Sequence, residues 1–484
     1  MAITDAMEAA GMPDGKYQLG GQDVFVKEGA ARLADGTLAG STLTMIRAFQ
    51  NLIRFGASPE DAALMTTRTP ARSIQNEEVG EIELGASALA GVYYMAIFML
   101  GFGFSVGAQI LMARRNGEGN HAAIGPVFWQ GTTFLLLLAA VIFAVSQAFT
   151  PRVLERMIES PEVCAATNDY LRWRVYGFFF SFVAVMFRAF LVATTQTKIL
   201  TLNSLVMVGT NVVLNYALIF GKLGMPELGI AGAAIASSVS EGVSVLFFAL
   251  YIRRKVDWRK YALGFRPGLS RETLGGILNV SVWTMVQYFL SSATWFLFFI
   301  AVEHLGERPL AVSNIVRSVS TFFFMPITAF AAANSSLVSN LIGAGEQEHV
   351  MGTCRQTIRL GYCFLVPLLA LALLFPSVVL RIYTDDLPLV EAAVPSLYVM
   401  LSSLLLSCPG NILFSTVSGT GNTRRAFFME ICTLAFYMLY MVCVAMVARA
   451  DVAVCWTTEH AYWGVLLLFA VTYLRRGTWR GRKI

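Results

Sequence analysis

The amino-acid sequence predicts an all-α membrane protein that crosses the bilayer many times, with a small α+β segment in front of the membrane part. Three observations support this fold class: a low share of charged residues, a series of long apolar runs, and an internal repeat. Charged residues make up 14% of the 484 residues and apolar residues 56%, whereas soluble domains carry about 25% charged residues. The mean hydropathy of +0.61 is typical of an integral membrane protein.

A helix that crosses the hydrocarbon core needs about 20 predominantly apolar residues. Eleven runs have this length, at 86–112, 121–148, 170–194, 199–220, 228–252, 275–302, 310–342, 357–383, 390–418, 426–448 and 453–474. The first 83 residues instead have the composition of a soluble segment. We therefore expect a small fragment at 1–83, a first bundle at 84–252, a cytoplasmic linker at 253–274, and a second bundle with a basic tail at 275–484.

The loops between the apolar runs differ in basic charge. One set, which includes Arg114, Arg253 and Arg424, carries nineteen Lys and Arg residues, and the other set, which includes Arg174, carries eight. The first set is expected in the cytoplasm, because cytoplasmic loops carry an excess of basic residues. The first run then begins at its outer end, yet residues 1–83 have no export signal. This topology predicts that a helix is missing in front of Leu84.

An internal repeat relates the two halves of the membrane part. The segment "LGASALAGVYYMAIFML" from Leu84 and the segment "LGERPLAVSNIVRSVSTFFF" from Leu305 share a Leu-Gly, three residues, a Leu-Ala and a long apolar run. The turns "TTQTK" (194–198) and "TGNTR" (420–424) also match, at a spacing of about 220–230 residues. Chance similarity is the alternative, but polar loop residues match too. A parallel repeat is typical of secondary transporters, whose substrate path lies between the halves.

Polar and ionisable side chains within the apolar runs are the candidate pathway residues, because such groups are expensive at membrane depth. Glu241, near the middle of its run, is expected to bind a proton, Na⁺ or a cationic substrate, or to form a structural ion pair with Arg188. Asn211 and Asn215 lie one turn apart on one helix face, and they would join an ion network or bond two helices. Other polar groups that could line a cavity are Gln109, Gln287 and Asn314.

Two further carboxylates lie near predicted helix ends. Glu303 could pair with Arg317 of the next helix, or it could be a solvated helix end. Glu430 is expected at the membrane interface, with its carboxylate reaching water. The seven cysteines have no metal-binding spacing, and the modest net charge of +5 gives no indication of nucleic-acid binding. No cofactor is expected.

The segment "TNVVLNYALIFGKLGMPELGIAGAAIASSVS" (210–240) closely resembles the fifth and sixth helices of multidrug and toxic compound extrusion (MATE) transporters. "LGERPLAVSNIVRS" and "LGASALAG" resemble the eighth and second helices of the same family. The resemblance covers about 84–476 and implies two six-helix bundles around a central cavity. It further implies export of small organic, often cationic, substrates driven by Na⁺ or H⁺, in contact with membrane lipids of the bacterial cytoplasmic membrane.

This sequence departs from the family at its best-known coupling residues. Many members carry an aspartate on the first helix, which is not found here, and others carry a glutamate on the seventh helix, where Ser291 stands here. The coupling ion therefore stays open between Na⁺ and H⁺. A flippase of lipid-linked oligosaccharides with a related fold is the alternative function.

Residues 2–80 resemble the C-terminal part of N-acetylglucosamine-6-phosphate deacetylases, through "TDAM", "LAGSTLTM" and "TRTPAR" in the same order. The resemblance implies that Asp5 matches the general acid/base of that family. The metal ligands of the family come from earlier strands that this chain lacks, so we expect no enzyme activity and regard a membrane-tethered deacetylase as the least favoured function. Short strands at 22–34 and helices at about 43–55 and 59–67 are expected in this segment.

Overall fold

The computed structural model describes residues 15–19, 22–27, 30–33, 38–40, 81–158, 160–264, 270–384 and 386–481. These residues belong to two compact units, one within 1–89 and 154–168 and the other within 90–153 and 169–484. The first unit contains a short sheet, and the second contains most of the membrane helices.

The sheet of the first unit is an antiparallel meander with the order β1-β2-β3-β4. Its strands are β1 (Gly15–Leu19), β2 (Gln22–Lys27), β3 (Ala30–Leu33) and β4 (Leu38–Gly40). Alternate residues of a strand point to opposite faces, so Val24 and Val26 are buried while Phe25 is 45% exposed. The predicted strands at 22–34 are therefore present. Asp5 and the helices predicted at about 43–55 and 59–67 lie outside the described residues.

Long helices form the rest of the described chain. Those of the first half are α1 (Glu81–Gly117), α2 (Ile124–Met157), α3 (Pro161–Arg174), α4 (Gly177–Ala193), α5 (Lys198–Ile219) and α6 (Gly229–Lys255). Those of the second half are α7 (Arg271–Glu303), α8 (Glu307–Gly343), α9 (Val350–Leu374), α10 (Pro376–Arg381), α11 (Leu387–Gly419), α12 (Thr423–Met441), α13 (Val452–Cys455) and α14 (Thr458–Arg476). Separate apolar cores hold the two halves, the first around Phe104 and Phe182 and the second around Leu397 and Trp456.

Within the described ranges, nine helices are long and apolar enough to cross a membrane, and the pair α3 and α4 would make a tenth span with a bend of 49°. Helices cover all eleven predicted runs, although three of the runs are interrupted. The last run, 453–474, is divided between α13 and α14. Helix α14 is too polar to be among these spans, since it carries Glu459, Arg475 and Arg476. The predicted fold class, an all-α polytopic membrane protein with a small strand-containing segment, is confirmed.

The helix boundaries repeat at a constant separation. Helices α1 and α8 begin at 81 and 307 and end at 117 and 343, which is 226 residues in both cases. Left-handed residues repeat in the same register, since Gly119 matches Gly345 and Thr195 matches Gly421. The Leu-Gly match of the sequence does not follow this register, because Leu84-Gly85 lies inside α1 while Leu305-Gly306 precedes α8. The repeat is therefore real, but the two Leu-Gly motifs lie five residues out of the 226-residue register that the helices follow.

The halves differ at two breaks. In the first half, α3 ends at Arg174 and α4 begins at Gly177, whereas the equivalent α11 runs unbroken. In the second half, the chain breaks at Phe375 between α9 and α10, whereas α2 runs through Pro151 without a break. The sequence predicted continuous spans at 170–194 and 357–383. Both predictions were wrong, because the first span is broken between Arg174 and Gly177 and the second at Phe375. The first of the two breaks positions the site described below.

The ends of four helices meet at one end of the membrane part. Asn116 Nδ2 donates to Asn340 Oδ1 at 2.7 Å, and Arg114 Nη2 donates to the carbonyl oxygen of Thr420 at 3.1 Å. Asn340 Nδ2 also donates to the carbonyl oxygen of Ala193 at 3.0 Å. These contacts join the C-terminal ends of α1, α4, α8 and α11. The loops that the sequence assigns to the cytoplasm at these helix ends therefore share one side.

Candidate functional site

A buried ion pair occupies the break between α3 and α4. Arg174, the last residue of α3, donates from Nη2 to Glu241 Oε1 at 2.6 Å and from Nη1 to Glu241 Oε2 at 3.2 Å. The side chains of Arg174 and Glu241 are 11% and 15% exposed. Paired geometry of this kind fixes the orientation of both groups. The two residues are separated by 67 positions in the sequence, so the pair depends on the packing of α4, which follows Arg174, against α6.

Tyr94 of α1 completes this cluster. Its hydroxyl lies 3.0 Å from both carboxylate oxygens of Glu241 and donates to them. The guanidinium of Arg174 lies 3.5 Å from the centre of the Tyr94 ring, a favourable cation–π distance. The same ring stacks on Phe178 with centroids 4.4 Å apart. One aromatic residue therefore holds both members of the ion pair.

The break itself makes room for these charges. Gly177 begins α4, and a Cβ at this position would lie 2.6 Å from Glu241 Oε2 and would also collide with Arg174 Nη1. Tight turns of the 3₁₀ type carry the chain across the break, since the amides of Tyr176 and Phe178 donate to carbonyl oxygens three residues earlier. A side chain here would displace the ends of both charged side chains, so glycine suits the close approach beside the ion pair.

A cavity of about 200 Å³ opens beside the ion pair. Its lining residues are Arg174, Met207, Val208, Asn211, Ser237, Ser240 and Glu241. Asn211 donates to Ser237 Oγ at 3.3 Å, and Asn215 donates to Asn211 Oδ1 at 3.0 Å. Sites for drug-sized ligands measure about 300–1,000 Å³. In this conformation the cavity therefore suits a small ion or the charged end of a larger molecule.

The structure brings Glu241 and Asn211 to one cavity, but it does not pair Glu241 with Arg188. The Arg188 guanidinium lies 5.0 Å from the ring centre of Phe102 instead. The prediction chose Arg188 because it lies near the middle of the span 170–194. At a rise of 1.5 Å per residue, Arg188 lies about 20 Å further along this span than Arg174. The sequence interpretation counted Arg174 as a loop charge and missed it. Its place within a predicted span was the signal that could have found it.

The predicted pair of Glu303 and Arg317 is also wrong. Glu303 is exposed at the end of α7, and no salt bridge joins these two described residues. Arg317 lies 5.2 Å from the ring centre of Phe299. The alternative stated for Glu303, a solvated helix end, agrees with its exposure.

The remaining polar candidates lie apart from the cavity. Gln109 is 4% exposed, and its Nε2 is 3.5 Å from the carbonyl oxygen of Ala332 on α8. Gln287 is buried, and its Oε1 has no hydrogen-bond partner within the described part of the chain. Asn314 is exposed on α8. Of these three residues, only Gln109 bridges the two halves.

Glu430 lies in the interior and not at the interface, contrary to the sequence prediction. It is 1% exposed, it accepts a hydrogen bond from the Ser291 hydroxyl of α7, and it accepts another from the Tyr462 hydroxyl of α14 at 2.7 Å. The prediction placed it near the start of an apolar run. Packing of three helices around it, which the run alone does not show, buries the carboxyl.

The described residues contain no group of three His, Cys, Asp or Glu side chains that could hold a metal ion.

A family model described as MatE matches residues 76–217 and 284–450, which is well over half of the chain. The chain belongs to the MatE family. This MatE chain is thus a member of a transporter family and not an enzyme, and its helices make it a multi-pass protein of the bacterial inner membrane.

Curated relatives of this MatE chain carry multidrug resistance names. It is 28% identical over 66% of its length to a probable multidrug resistance protein NorM from Thermotoga maritima, covering 68% of that protein. It is 27% identical over 70% of its length to the probable multidrug resistance protein YoeA from Bacillus subtilis, covering 74% of that protein.

Solved structures with the same fold include other transporters. One is an outward-facing multidrug resistance MATE family transporter of the MOP superfamily, with a TM-score of 0.74, 20% identity, and coverage of 83% of this chain and 90% of that one. Another is a MOP superfamily transporter from Pyrococcus furiosus, with a TM-score of 0.75, 19% identity, and coverage of 90% and 96%. At these identities the likeness shows the fold alone.

Proposed function

We propose that this chain is a secondary active multidrug efflux transporter that exports organic, often cationic, compounds in exchange for Na⁺ or H⁺. The family and the multidrug resistance names of the relatives support this function. The observation that carries it is the Arg174–Glu241 pair beside a polar-lined cavity. A carboxylate within the membrane can bind a cation in place of the cationic side chain that it pairs with.

The proposed mechanism is competition for Glu241. A carboxylate buried in this way needs a positive partner, because an unpaired charge in a low-dielectric interior is strongly unfavourable. Arg174 supplies that partner in the described conformation. A cationic substrate or a coupling ion that enters the cavity would take its place, with Asn211, Ser237 and Ser240 as neutral oxygen ligands. The Tyr94 ring would then stabilise the released guanidinium through its cation–π contact.

Efflux of ethidium from cells that lack their own drug exporters tests this function. Cells that express the wild-type chain should accumulate less ethidium than vector controls. We expect Glu241→Gln to abolish the difference and Glu227→Gln, in the exposed loop between α5 and α6, to leave it unchanged. Wild-type accumulation equal to the vector would refute the drug-export function. Transfer of a lipid-linked oligosaccharide by such a chain would support the flippase alternative.

We also propose the domain organisation that the sequence predicts, with helices two to six of a MATE-type bundle at 84–252, a linker at 253–274, and helices seven to twelve at 275–484. The 226-residue register supports it, because the positions equivalent to α7 are 45–77. That segment includes Arg47, Arg54, Glu60 and Asp61, which is too much charge for a membrane span. The first helix would then have been replaced by the deacetylase-like segment.

Mass spectrometry of the native source tests this organisation. The tryptic peptide that follows Arg72 crosses the junction at about 81–84. Its detection together with peptides from the membrane part would support the fused chain, and its absence from otherwise complete coverage would oppose it. Purified protein is expected to release no acetate from N-acetylglucosamine-6-phosphate, because the metal ligands of the resembling family are missing.

A further inference from the structure

The second half of the membrane part contains a buried carboxyl of a different kind. Glu430 on α12 is 1% exposed, and its Oε1 accepts hydrogen bonds from Ser291 of α7 and Tyr462 of α14. Its Oε2 is buried and has no hydrogen-bond partner among the described residues. Glu241 has the Arg174 guanidinium beside it, whereas both donors to Glu430 are neutral hydroxyls.

Among the described residues, no basic side chain forms an ion pair or a hydrogen bond with Glu430. The titratable groups near it or near Tyr462 are Tyr288 on α7, Tyr437 on α12 itself, and Glu459 on α14. Arg188 on α4 lies near Tyr288, and it is not a partner of the carboxyl. His460 on α14 is bonded to Ser402 of α11 at 3.0 Å, and it is not a partner of the carboxyl. A carboxylate without a positive partner at this depth is strongly disfavoured, and such groups bind a proton instead.

The bundle fold does not itself require a carboxyl at this position. In the 226-residue register, Glu430 corresponds to Ser204 on α5 of the first half, and Ser204 is exposed. A carboxyl that only held helices together would be satisfied at both oxygens, because a half-satisfied buried polar group weakens packing. The unpartnered Oε2 is therefore the oxygen of this carboxyl that is available to hold a proton.

We propose that Glu430 is a proton-binding residue of the transport cycle, resting on the transport function proposed above. Its carboxyl holds a proton on Oε2 in the described conformation. When α7, α12 and α14 rearrange, the acid releases H⁺ to water and leaves a carboxylate, whose Oε1 keeps the two hydroxyl donors. The hydroxyls stabilise the charged form, and burial stabilises the neutral form, so the proton can leave and return. This site is separate from Glu241, where Arg174 provides the neutralising charge.

Infrared spectroscopy of the purified protein in lipid nanodiscs tests the proton directly. We expect a carbonyl-stretch band of a protonated carboxylic acid at neutral pH in the wild type and in Glu241→Gln. The band should be weaker in Glu430→Gln by the contribution of one carboxylic acid, and this variant should fold normally because its side chain has the shape and neutrality of the protonated acid. Ser291→Ala removes one donor and keeps the carboxyl, so it should retain the band at a shifted frequency. An unchanged band in Glu430→Gln would overturn the proposal.

Proton release links the site to transport. Addition of tetraphenylphosphonium to weakly buffered protein should release about one proton for each bound cation in the wild type, by the reciprocity of linked binding. Glu430→Gln should bind this cation but release little or no proton. Equal release from both proteins, or unchanged efflux of ethidium driven by a pH gradient in Glu430→Gln, would overturn the role in the cycle. If the wild type shows no efflux at all, the transport function fails, while the infrared band still decides whether Glu430 holds a proton.

Discussion

At the scale of single residues, the ion pair of Arg174 and Glu241 is the most buried of the salt bridges among the described residues. Both side chains are mostly buried, so neither group is stable there without the other. Replacement of both partners by apolar residues is often tolerated in such pairs, whereas removal of one partner leaves an unpaired buried charge. The pair therefore makes different predictions for single and double variants.

Glu241→Leu alone should lower the free energy of unfolding by about 3–5 kcal/mol, because Arg174 would remain buried without a counter-charge. The double variant Arg174→Met with Glu241→Leu should recover most of this loss. Thermal unfolding in detergent micelles measures both changes. A double variant that is no more stable than Glu241→Leu would show that the arginine is solvated when its partner is absent.

Gly177→Ala should weaken the same cluster by steric means, because the added Cβ has no space beside Arg174 and Glu241. Overpacking of this kind costs about 1–3 kcal/mol. The matched control is Gly242→Ala, where the nearest atoms belong to the Phe180 ring at an ordinary 3.5 Å. Unfolding midpoints and ethidium efflux should decrease for the first variant only, and equal behaviour of the two would contradict the packing argument.

At the scale of helices, the closest approach between the halves is the crossing of α1 and α8 near their C-terminal ends. A Cβ on Gly117 would collide with the carbonyl oxygen of Asn340, and a Cβ on Gly343 would collide with that of Arg114. These two contacts are equivalent in the 226-residue register. Small residues at helix crossings allow such close approach in membranes. The pair of glycines therefore lets the ends of the two helices meet in this conformation.

Gly343→Ala is expected to separate the cytoplasmic ends of the halves by a few ångström, because backbone atoms on the other helix cannot move aside locally. Spin labels at Glu118 and Glu348, both accessible, would report the distance by pulsed electron resonance in a background without the native cysteines. Gly352→Ala is the control, because a Cβ there meets no atom within 4 Å. Identical distance distributions for the two variants would show that the crossing of α1 and α8 does not set the distance between the two halves at this end.

For the molecule as a whole, the distribution of basic residues predicts the orientation in the membrane. The nineteen basic residues of one loop set outnumber the eight of the other, although Arg174 of the second set lies in a buried pair and not in a loop. Removing it from the count strengthens the asymmetry. The contacts among the ends of α1, α4, α8 and α11 agree that these loops share one side.

Cysteine labelling on intact cells tests this orientation. In a background without native cysteines, Lys222→Cys should react with a membrane-impermeant maleimide, and Arg254→Cys should react only after the membrane is opened. Both positions are exposed, so access depends on the side of the membrane alone. The reverse pattern would contradict the rule that cytoplasmic loops carry the basic excess.

Much of the architecture could be predicted because it depends on local properties of the chain. The length and apolarity of each run predict a helix, and the charge of each loop predicts its side. The positions of the two breaks could not be predicted in this way. Apolar runs at 170–194 and 357–383 look continuous, and the charges that meet beside Gly177 come from distant parts of the sequence.

Hydropathy, loop charge and the repeat are properties of segments, so they predict a polytopic membrane protein with two related halves, and the resemblance of residues 210–240 adds the MATE family. Which charges meet depends on how the helices pack. Arg174 and Glu241 are 67 residues apart, and Ser291 and Glu430 are 139 apart, so no local pattern joins them. Their pairing depends on the rotation and crossing of packed helices. That packing makes Glu241 an ion-paired carboxylate and leaves Glu430 among neutral hydroxyls.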